Sequence, residues 1–356
     1  LLKGSNSDVP PTLESNLGFA ALKDEPLGDN KYLNNLKGAP KCGLLKPADW
    51  SAQWIGLNKA FPWDSVTQFS RLSARYYRKE FKARKQVKKA MAYISGLGLY
   101  ELYINGEKIG NDVLAPTVSE YNKRIYYNTY DVTALVKEGR NCAGVILGNG
   151  RYFGVRNYHG QPDPLTQIPQ SHYGLPRLIL QIRVVYNDGS TELITSNEQW
   201  KVTDKGPIVA NNEFDGEEYD ATRELTGWNK VGYNDATWRP VNLMPPAANK
   251  LLAQPNENIR IKEVLKPVKV ITTSRGTHIL DMGQNMDGWI AMRVRGQRGD
   301  TVSMRFAETL KGNDSLYLDN MRNAQVTDRY ILQGGDYEPW EPRFVYHGFR
   351  YVEVKG

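Results

Sequence analysis

The chain has 356 residues, of which 40% are hydrophobic and 24% charged, and this composition excludes a disordered chain. Its length exceeds that of one ordinary sandwich, so we expect two domains and an additional segment, and no apolar run is long enough to span a membrane. The net charge is +7, and the densest basic run, residues 78–89, alternates with apolar positions as a solvated strand face does. Because no nucleic-acid-binding motif accompanies this charge, we expect neither a nucleic acid nor a membrane as a partner.

The first 46 residues are rich in Gly, Pro, Asn and Ser and show little periodicity, so we predict a loosely ordered N-terminal segment. The sequence begins at Leu1 with neither a methionine nor a signal-peptide pattern, so we expect that the true start has been removed. The compartment stays open, with a periplasmic or secreted location favoured. Cys42 and Cys142 either form one disulfide or are two buried thiols, and the sequence does not decide between these states.

Strands dominate the chain after this segment. An aromatic-anchored strand is predicted at Asp49–Ile55, and residues 76–81 form a second β-rich run. Apolar positions alternate over residues 100–110, where Asn105-Gly106 is a pair that tolerates positive φ in a two-residue hairpin turn. The side chains that this alternation places on one face are Tyr100, Leu102 and Ile104. A similar alternation over residues 178–186 ends in a predicted turn at residues 187–189.

Three segments interrupt the strand pattern. A short helix is predicted between Asp131, which can cap it, and Gly139, which can end it. Residues 148–174 form a long non-periodic stretch, and loops of this length are usually functional or mobile. Residues 245–255 have a linker-like composition, and the strands predicted after them cover residues 289–294, 301–306 and 349–354. We therefore predict an all-β fold of two consecutive antiparallel β-sandwiches with few short helices.

The acidic residues form no recognisable catalytic pair. A glycosidase needs two carboxylates that face each other across the scissile bond, and spacing alone pairs none of residues 215–220, Asp281, Asp287 and Glu308. The histidines lack metal-ligand spacing, the cysteines form no CxxC pair, and no GxSxG or phosphate-binding loop occurs. The sequence therefore requires no cofactor, although calcium held by oxygen ligands in a sandwich loop stays open.

The aromatic residues are the richest signal for ligand binding, with eight Trp and 21 Tyr. Aromatic rings are stacking platforms for sugars, which would suit a protein that handles glycans. They also fill sandwich cores and favour strands, so the composition leaves both roles open.

Several long motifs, in their order along the chain, resemble the bacterial α-L-rhamnosidases of glycoside hydrolase family 78. Those similar to the N-terminal sandwich of that family are DWSAQWIG (49–56), YELYINGEKIGNDVLAPTVSEYNKRIYYNTYDVT (100–133), GVILGNGRYFG (144–154), EFDGEEYDA (213–221) and GWNKVGYNDATWRPV (227–241). Those similar to its concanavalin-like domain are DMGQNMDGW (281–289), RNAQVTDRYIL (322–332) and WEPRFVYHGFRYVEV (340–354). The resemblance implies a jelly-roll-like sandwich over residues 47–250 and a concanavalin-like sandwich over residues 251–356, after the segment 1–46.

The resemblance also implies where the chemistry of such an enzyme takes place. Family members hydrolyse α-L-rhamnosides with inversion, using carboxylates in an (α/α)6 barrel that follows the concanavalin-like domain. The chain ends at Gly356, where this barrel would begin, and it has no helical-barrel pattern and no DCPQR-like signature. We therefore transfer no catalytic residue, and we expect this chain alone to be inactive. The implied partners are a downstream barrel and glycans that contain L-rhamnose.

The N-terminal jelly roll of some members resembles a calcium-dependent rhamnose-binding module, and the equivalent loop here is residues 148–152. Asn149 stands where an acidic residue is common, and Arg151 stands where Trp is common. Loss of a carboxylate weakens calcium binding, and loss of an indole removes a stacking platform. The candidate sugar-binding residues are Asn149, Arg151, Tyr152, Asp215 and Glu217, with Asn149 also the candidate calcium ligand.

Three hypotheses follow. The first is the non-catalytic N-terminal part of an α-L-rhamnosidase, which supports the barrel and binds rhamnose. The second is a stand-alone pair of carbohydrate-binding modules that uses the candidate residues above. The third is a pair of purely structural packing domains, which would expose an apolar patch when isolated.

Overall fold

The computed structural model describes residues 18–22, 47–57, 72–154, 173–248, 250–322 and 324–356. Within these ranges the chain forms strands, short 3-10 turns and no α-helix, so the predicted all-β class is confirmed. The strands are β1 (Gly18–Leu22), β2 (Ile55–Gly56), β3 (Arg75–Ala83), β4 (Val87–Leu97), β5 (Leu99–Ile104), β6 (Glu107–Lys108), β7 (Ile125–Asp131), β8 (Gly139–Gly148), β9 (Arg177–Tyr186), β10 (Thr191–Thr195), β11 (Lys201–Thr203), β12 (Ile208–Asn212), β13 (Gly216–Asp220), β14 (Arg239–Pro240), β15 (Asn242–Leu243), β16 (Leu251–Ala253), β17 (Glu263–Leu265), β18 (Lys269–Thr272), β19 (His278–Val294), β20 (Thr301–Ala307), β21 (Thr309–Leu310), β22 (Leu316–Tyr317), β23 (Thr327–Ile331), β24 (Glu338–Trp340) and β25 (His347–Lys355). The 3-10 turns are Pro47–Asp49, Arg151–Phe153, Ala221–Arg223 and Asp319–Met321. No helix in the described ranges is long and apolar enough to cross a membrane.

Two mainly antiparallel sheets face each other in the N-terminal half of the chain. The outer sheet has the order β15-β2-β9-β4-β7-β16, with β10 paired to β9, and the middle sheet has the order β14-β11-β3-β8-β5-β6. Successive side chains of a strand point to opposite faces, so each sheet turns an apolar row toward the other and the two rows form one core. Tyr100, Leu102 and Ile104 all lie in this core, which confirms the predicted face of β5.

A large sheet of order β12-β13-β23-β20-β25-β19-β1-β17, with β18 and β24 paired to β19, forms the C-terminal half. Two of its strands come from the middle of the chain, because β13 pairs with β23 in parallel and β12 pairs with β13. Conversely, β16 pairs in parallel with β7 of the outer sheet. The sheets therefore exchange strands across residue 250, where the sequence predicts the limit between the two sandwiches, and that limit stays a prediction.

The middle sheet is buried on both of its faces. On β3, Tyr77 belongs to the core against the outer sheet, whereas Tyr76 belongs to a second core against the large sheet. On β8, Val145 and Ile146 divide between the two cores in the same way. Burial on both faces accounts for the nearly continuous apolar run of β8. The three sheets thus form three packed layers with the middle sheet between the other two.

Two glycines of β8 allow the large-sheet half to approach the middle sheet closely. A Cβ atom on Gly148 would lie 2.5 Å from Cγ of Phe344, and one on Gly144 would lie 2.8 Å from the indole of Trp228. Both distances are far below van der Waals contact, so these positions require glycine for the observed packing.

Two local predictions are wrong. Residues 131–139 form a turn and not a helix, because the N–H of Val132 donates to Ala90 O and extends the pairing of β7 with β4 beyond Asp131. A single turn follows, and Gly139 with φ of +93° begins β8 and does not end a helix. The strand predicted at Asp49–Ile55 is only Ile55–Gly56. The preceding Trp50 instead packs edge-on against Tyr127, with 5.3 Å between the ring centroids.

Other predictions agree with the structure or fall outside its described part. Asn105 and Gly106 have φ of +53° and +94° and form the predicted hairpin turn between β5 and β6. The three C-terminal strands are confirmed within β19, β20 and β25. Of the N-terminal segment 1–46 only β1 is described, and residues 155–172 of the long loop lie outside the described residues, as does Cys42.

Candidate functional site

The structure brings together the two stretches that carry the predicted sugar-binding residues. The loop after β8 holds Asn149, and its backbone N–H donates to Asn211 Oδ1 at 2.7 Å. Two residues later, Arg151 Nε lies 2.8 Å from Glu213 Oε1, and the guanidinium lies over the Phe214 ring, 5.0 Å from its centroid. Glu213 and Phe214 belong to the turn between β12 and β13, so that turn and the loop lie side by side.

The buried side chain of Asn149 connects the loop after β8 to Leu72 and Asn211 by hydrogen bonds. Its side chain is 1% exposed, and Nδ2 donates to Leu72 O at 2.8 Å and to Asn211 O at 2.7 Å. These carbonyl oxygens accept N–H groups, and the nearby Glu213 is paired with Arg151, so the residues present do not fit a calcium ion, which prefers a cage of carboxylate and free carbonyl oxygens. Among the described residues, no group of three or more His, Cys, Asp or Glu could hold a metal ion. Calcium binding at Asn149 therefore stays an untested prediction, and the residues described around Asn149 do not supply a set of oxygen ligands for it.

The exposed part of the candidate site is aromatic and basic. Tyr152 is buried, with Tyr121 edge-on at 5.2 Å and Tyr173 stacked at 5.9 Å between ring centroids. Tyr173 itself is 55% exposed, and the Arg151 side chain is 49% exposed. The β8–β9 connection therefore presents one exposed tyrosine ring, stacked on a buried one, and one half-exposed guanidinium. Sequence reasoning missed Tyr173, although the long stretch of residues 148–174 also contains Tyr152, Phe153 and Tyr158 and this aromatic content was a signal.

Asp215 and Glu217 form hydrogen bonds that connect the β12–β13 hairpin to residues of the C-terminal part of the chain. Asp215 Oδ1 accepts the N–H of Gln325 at 3.1 Å. Glu217 is 1% exposed, and its carboxylate accepts the N–H groups of Arg343 and Phe344, each at 3.2 Å. Burial raises the pKa of Glu217 to about 8, and the nearby Asp328 adds to this rise, although the two N–H donors and the Arg343 charge oppose it. Glu217 therefore lies inside the molecule, away from the exposed rings.

An ionic cluster around the buried Glu101 lies beside Glu217, between the middle sheet and the large sheet. Arg343 Nη1 lies 2.7 Å from Glu101 Oε2, and Lys108 Nζ lies 2.8 Å from Glu101 Oε1. Tyr103 donates its hydroxyl to Glu101 Oε2 at 2.6 Å. Burial favours the neutral acid, but the charges of Arg343 and Lys108 outweigh it and lower the pKa of Glu101 to about 2. Sequence reasoning missed this cluster, because its members are far apart in the chain.

Neither buried glutamate can act on a substrate from its observed place. Glu217 faces backbone N–H groups, and Glu101 faces Arg343, Lys108 and Tyr103. A glycosidase requires its two carboxylates on either side of an open cleft. In the described part of the chain, the geometry therefore supports a structural role for both groups, and the exposed candidate surface is the one at Tyr173 and Arg151.

The comparisons with known proteins agree with this architecture. The family model described as the alpha-L-rhamnosidase N-terminal domain matches residues 85–263, and the bacterial alpha-L-rhamnosidase concanavalin-like domain matches residues 271–356. An alpha-L-rhamnosidase of Streptomyces avermitilis is 39% identical over 302 residues, which are 83% of this chain and 28% of that protein.

Solved structures give the same result. The alpha-L-rhamnosidase structure from Dictyoglumus thermophilum is 41% identical with a TM-score of 0.80, and the match covers 88% of this chain and 34% of that one. The Streptomyces avermitilis alpha-L-rhamnosidase complexed with L-rhamnose has a TM-score of 0.73 at 39% identity, with 80% of this chain and 27% of that chain covered. The chain thus spans about a third or less of the length of these relatives. It belongs to the α-L-rhamnosidase family, of which it carries the N-terminal and concanavalin-like domains.

Proposed function

We propose that this chain is the non-catalytic β-sandwich part of an α-L-rhamnosidase that removes terminal α-L-rhamnosyl residues from glycans or glycosides with inversion. In this proposal the chain supports an (α/α)6 barrel that supplies the catalytic carboxylates. The observation that carries the supporting role is the middle sheet, which is buried on both faces and joined to the large-sheet half by the Glu101–Arg343 pair. Such a three-layer body is a rigid base on which a second domain can be oriented.

Exposed apolar side chains also favour a packing role. Between residues 259 and 270, five aliphatic side chains are 39% to 70% exposed, namely Ile259, Ile261, Val264, Val268 and Val270. Apolar side chains that remain exposed in one stretch are typical of a surface that packs against another domain. Substitution of Val264 and Val268 by Ser is therefore expected to lower the binding of a hydrophobic dye by the isolated chain without lowering its stability.

The direct test of the proposal is an assay of the isolated chain on p-nitrophenyl α-L-rhamnoside, with the intact mass recorded on the same sample. We expect no turnover above that of a buffer blank, because the exposed candidate surface has no pair of facing carboxylates. Turnover at the expected mass would contradict the non-catalytic assignment, and the acidic residues would then be substituted one at a time.

A second candidate function, rhamnose binding, is favoured by the exposed Tyr173 ring and the half-exposed Arg151 guanidinium, both on the connection between β8 and β9. The apolar face of a deoxysugar can stack on such a ring while the guanidinium donates to its hydroxyl groups. Calorimetry with L-rhamnose, with and without calcium, tests this role. Tyr173→Ala should abolish the binding and Tyr346→Ala, at a tyrosine that is 41% exposed elsewhere, should retain it. An absence of heat in both calcium conditions would contradict rhamnose binding.

A further inference from the structure

A polar groove lies on the face of the large sheet that points away from the middle sheet. It has a volume of about 300 Å³ and crosses strands β23, β20 and β25. Along β20, Met304 and Phe306 belong to the core against the middle sheet, whereas the alternate residues Ser303 and Arg305 line the groove. The volume is at the lower end of the range for sites that bind small molecules.

The strand register sets the chemistry of this groove. Arg329, Ser303 and Lys355 occupy one row across the three strands, and Thr327, Arg305 and Glu353 occupy the adjacent row. Arg305 and Arg329 are therefore diagonal neighbours on antiparallel strands, and such residues are typically about 7–8 Å apart, with their Cβ atoms somewhat closer. This spacing lets two guanidinium groups approach a single anionic group between them.

The positive charges of the groove are only partly balanced. Glu353 is 6% exposed and accepts the Thr277 hydroxyl at 2.7 Å, and it also lies 3.5 Å from Arg275 and 3.7 Å from Lys355. Its negative charge is therefore already compensated. Arg329 Nη1 lies 3.8 Å from Glu218 Oε2, which is near the limit for an ion pair.

Arg305 is exposed, and no carboxylate of the described residues lies within 4.0 Å of it. Among the described residues, the guanidinium at the centre of the groove thus has no carboxylate partner, and the one beside it is weakly paired. Such an arrangement favours a ligand with a negative charge, since guanidinium groups form bidentate bonds with carboxylate and sulfate-like oxygens.

We infer that this groove binds an anionic saccharide, whose carboxylate or sulfate group lies between Arg305 and Arg329. The inference rests on the proposed glycan-handling function. The remaining lining groups fit sugar hydroxyls, because Ser303, Thr327 and Gln325 supply hydroxyl and amide groups. No aromatic ring is among the described residues that line the groove, so the groove recognises charge and hydroxyl groups without stacking, unlike the surface at Tyr173.

The test is calorimetry of the 356-residue chain at low ionic strength with three sugars of the same ring configuration. D-galacturonate and D-galactose 6-sulfate carry the two kinds of anionic group, and D-galactose carries none. We expect both anions, or one of them, to bind at least about tenfold more tightly than galactose, and added salt to weaken the binding. Arg305→Gln and Arg329→Gln should each weaken the binding at least about tenfold.

Lys311→Gln is the matched control, because it removes one exposed positive charge from the turn between β21 and β22, outside the groove. It should leave the affinity unchanged within about twofold, and circular dichroism should show that all variants are folded. Equal binding of galactose, an absence of binding by both anions, or equal losses in the Lys311 and Arg305 variants would overturn the inference. Because turnover of aryl rhamnoside and rhamnose binding at Tyr173 are measured separately, failure of the groove is distinguishable from failure of the proposed function.

Discussion

Arg343 and Glu101 are 242 positions apart in the chain, yet Arg343 Nη1 lies 2.7 Å from Glu101 Oε2. The pair connects strand β5 of the middle sheet to the segment between β24 and β25. Lys108 also contacts Glu101, so two cations share one buried carboxylate. The negative charge of Glu101 is therefore compensated where the two halves of the chain meet.

Glu101→Gln should destabilise the protein by about 2 kcal/mol. Removal of one partner from a buried ion pair costs roughly 3–5 kcal/mol, but here the side chains of Arg343 and Lys108 are 36% and 33% exposed and can reach water. Urea unfolding followed by tryptophan fluorescence measures the loss. Glu107→Gln, on the exposed strand β6 of the same hairpin, is the control and should be nearly neutral. Equal midpoints for the two variants would show that the pair does not stabilise the fold.

The buried Glu217 should make stability depend on pH. Its pKa is raised to about 8 in the folded chain from an ordinary value of 4.5, mainly by burial, so the folded state binds more protons than the unfolded state between these values. Stability should therefore fall as pH rises from about 5 to 8, by about 1.4 kcal/mol for each unit of difference in pKa.

Glu217→Gln keeps the side-chain oxygen that accepts an N–H group and removes the charge. The fall in urea midpoint between pH 5 and 8 should become shallower in this variant, whereas Glu218→Gln, which alters the opposite face of β13, should leave the slope as in the natural sequence. Below pH 4 the sign reverses, because the lowered pKa of Glu101, about 2, makes its stabilisation disappear as that group is protonated. Parallel slopes for Glu217→Gln and the natural sequence would contradict the assignment.

Gly148→Ala should destabilise the protein by about 1–3 kcal/mol, the usual cost of an overpacked core. The added Cβ would lie 2.5 Å from Cγ of Phe344, where the large-sheet half contacts the middle sheet. Gly154→Ala is a matched control, since its Cβ would meet no atom closer than 3.4 Å. If the contact is the cause, Phe344→Leu should partly relieve the loss, so the double variant should be less destabilised than the sum of the single ones.

Cys142 should be unreactive in the native protein. Its side chain is fully buried, and burial raises the pKa of the thiol to about 11 although the neighbouring Arg78 opposes this. Since the thiolate is the reactive form, iodoacetamide at pH 8 should label Cys142 only after denaturation. Peptide mapping by mass spectrometry distinguishes this site from Cys42. Rapid native labelling at Cys142 would contradict its observed burial.

Local pattern in the sequence predicted those features whose determinants are close together in the chain. The alternation of Tyr100, Leu102 and Ile104 and the Asn105-Gly106 turn both depend on a few adjacent residues, and both are confirmed. The helix expected at residues 131–139 failed because a hydrogen bond from Val132 to the distant Ala90 decided the local structure. Local propensity is a weak prior when a neighbouring strand offers such a partner.

The local sequence pattern could not predict the roles of single polar residues. Arg78 belongs to a basic run that predicts a solvated face, yet its side chain is 2% exposed and its Nε donates to Trp228 O at 2.8 Å. Asn149 and Glu217 were predicted to bind sugar, and the structure places both inside, bonded to residues 62 and 126 positions away. A single sequence does not reveal such partners, because they become neighbours only through the three-layer packing.

Because strands are exchanged across residue 250, the two halves of the chain cannot be separated there without leaving strands unpaired. A fragment that ends at residue 250 would keep β12 and β13 without the β23 edge to which β13 pairs, and the complementary fragment would expose that edge of β23. The unpaired N–H and C=O groups of an exposed strand edge can pair with strands of other chains. Each piece made alone is therefore expected to aggregate, and production of both pieces in the same cell should recover soluble material, as in proteins reassembled from split halves.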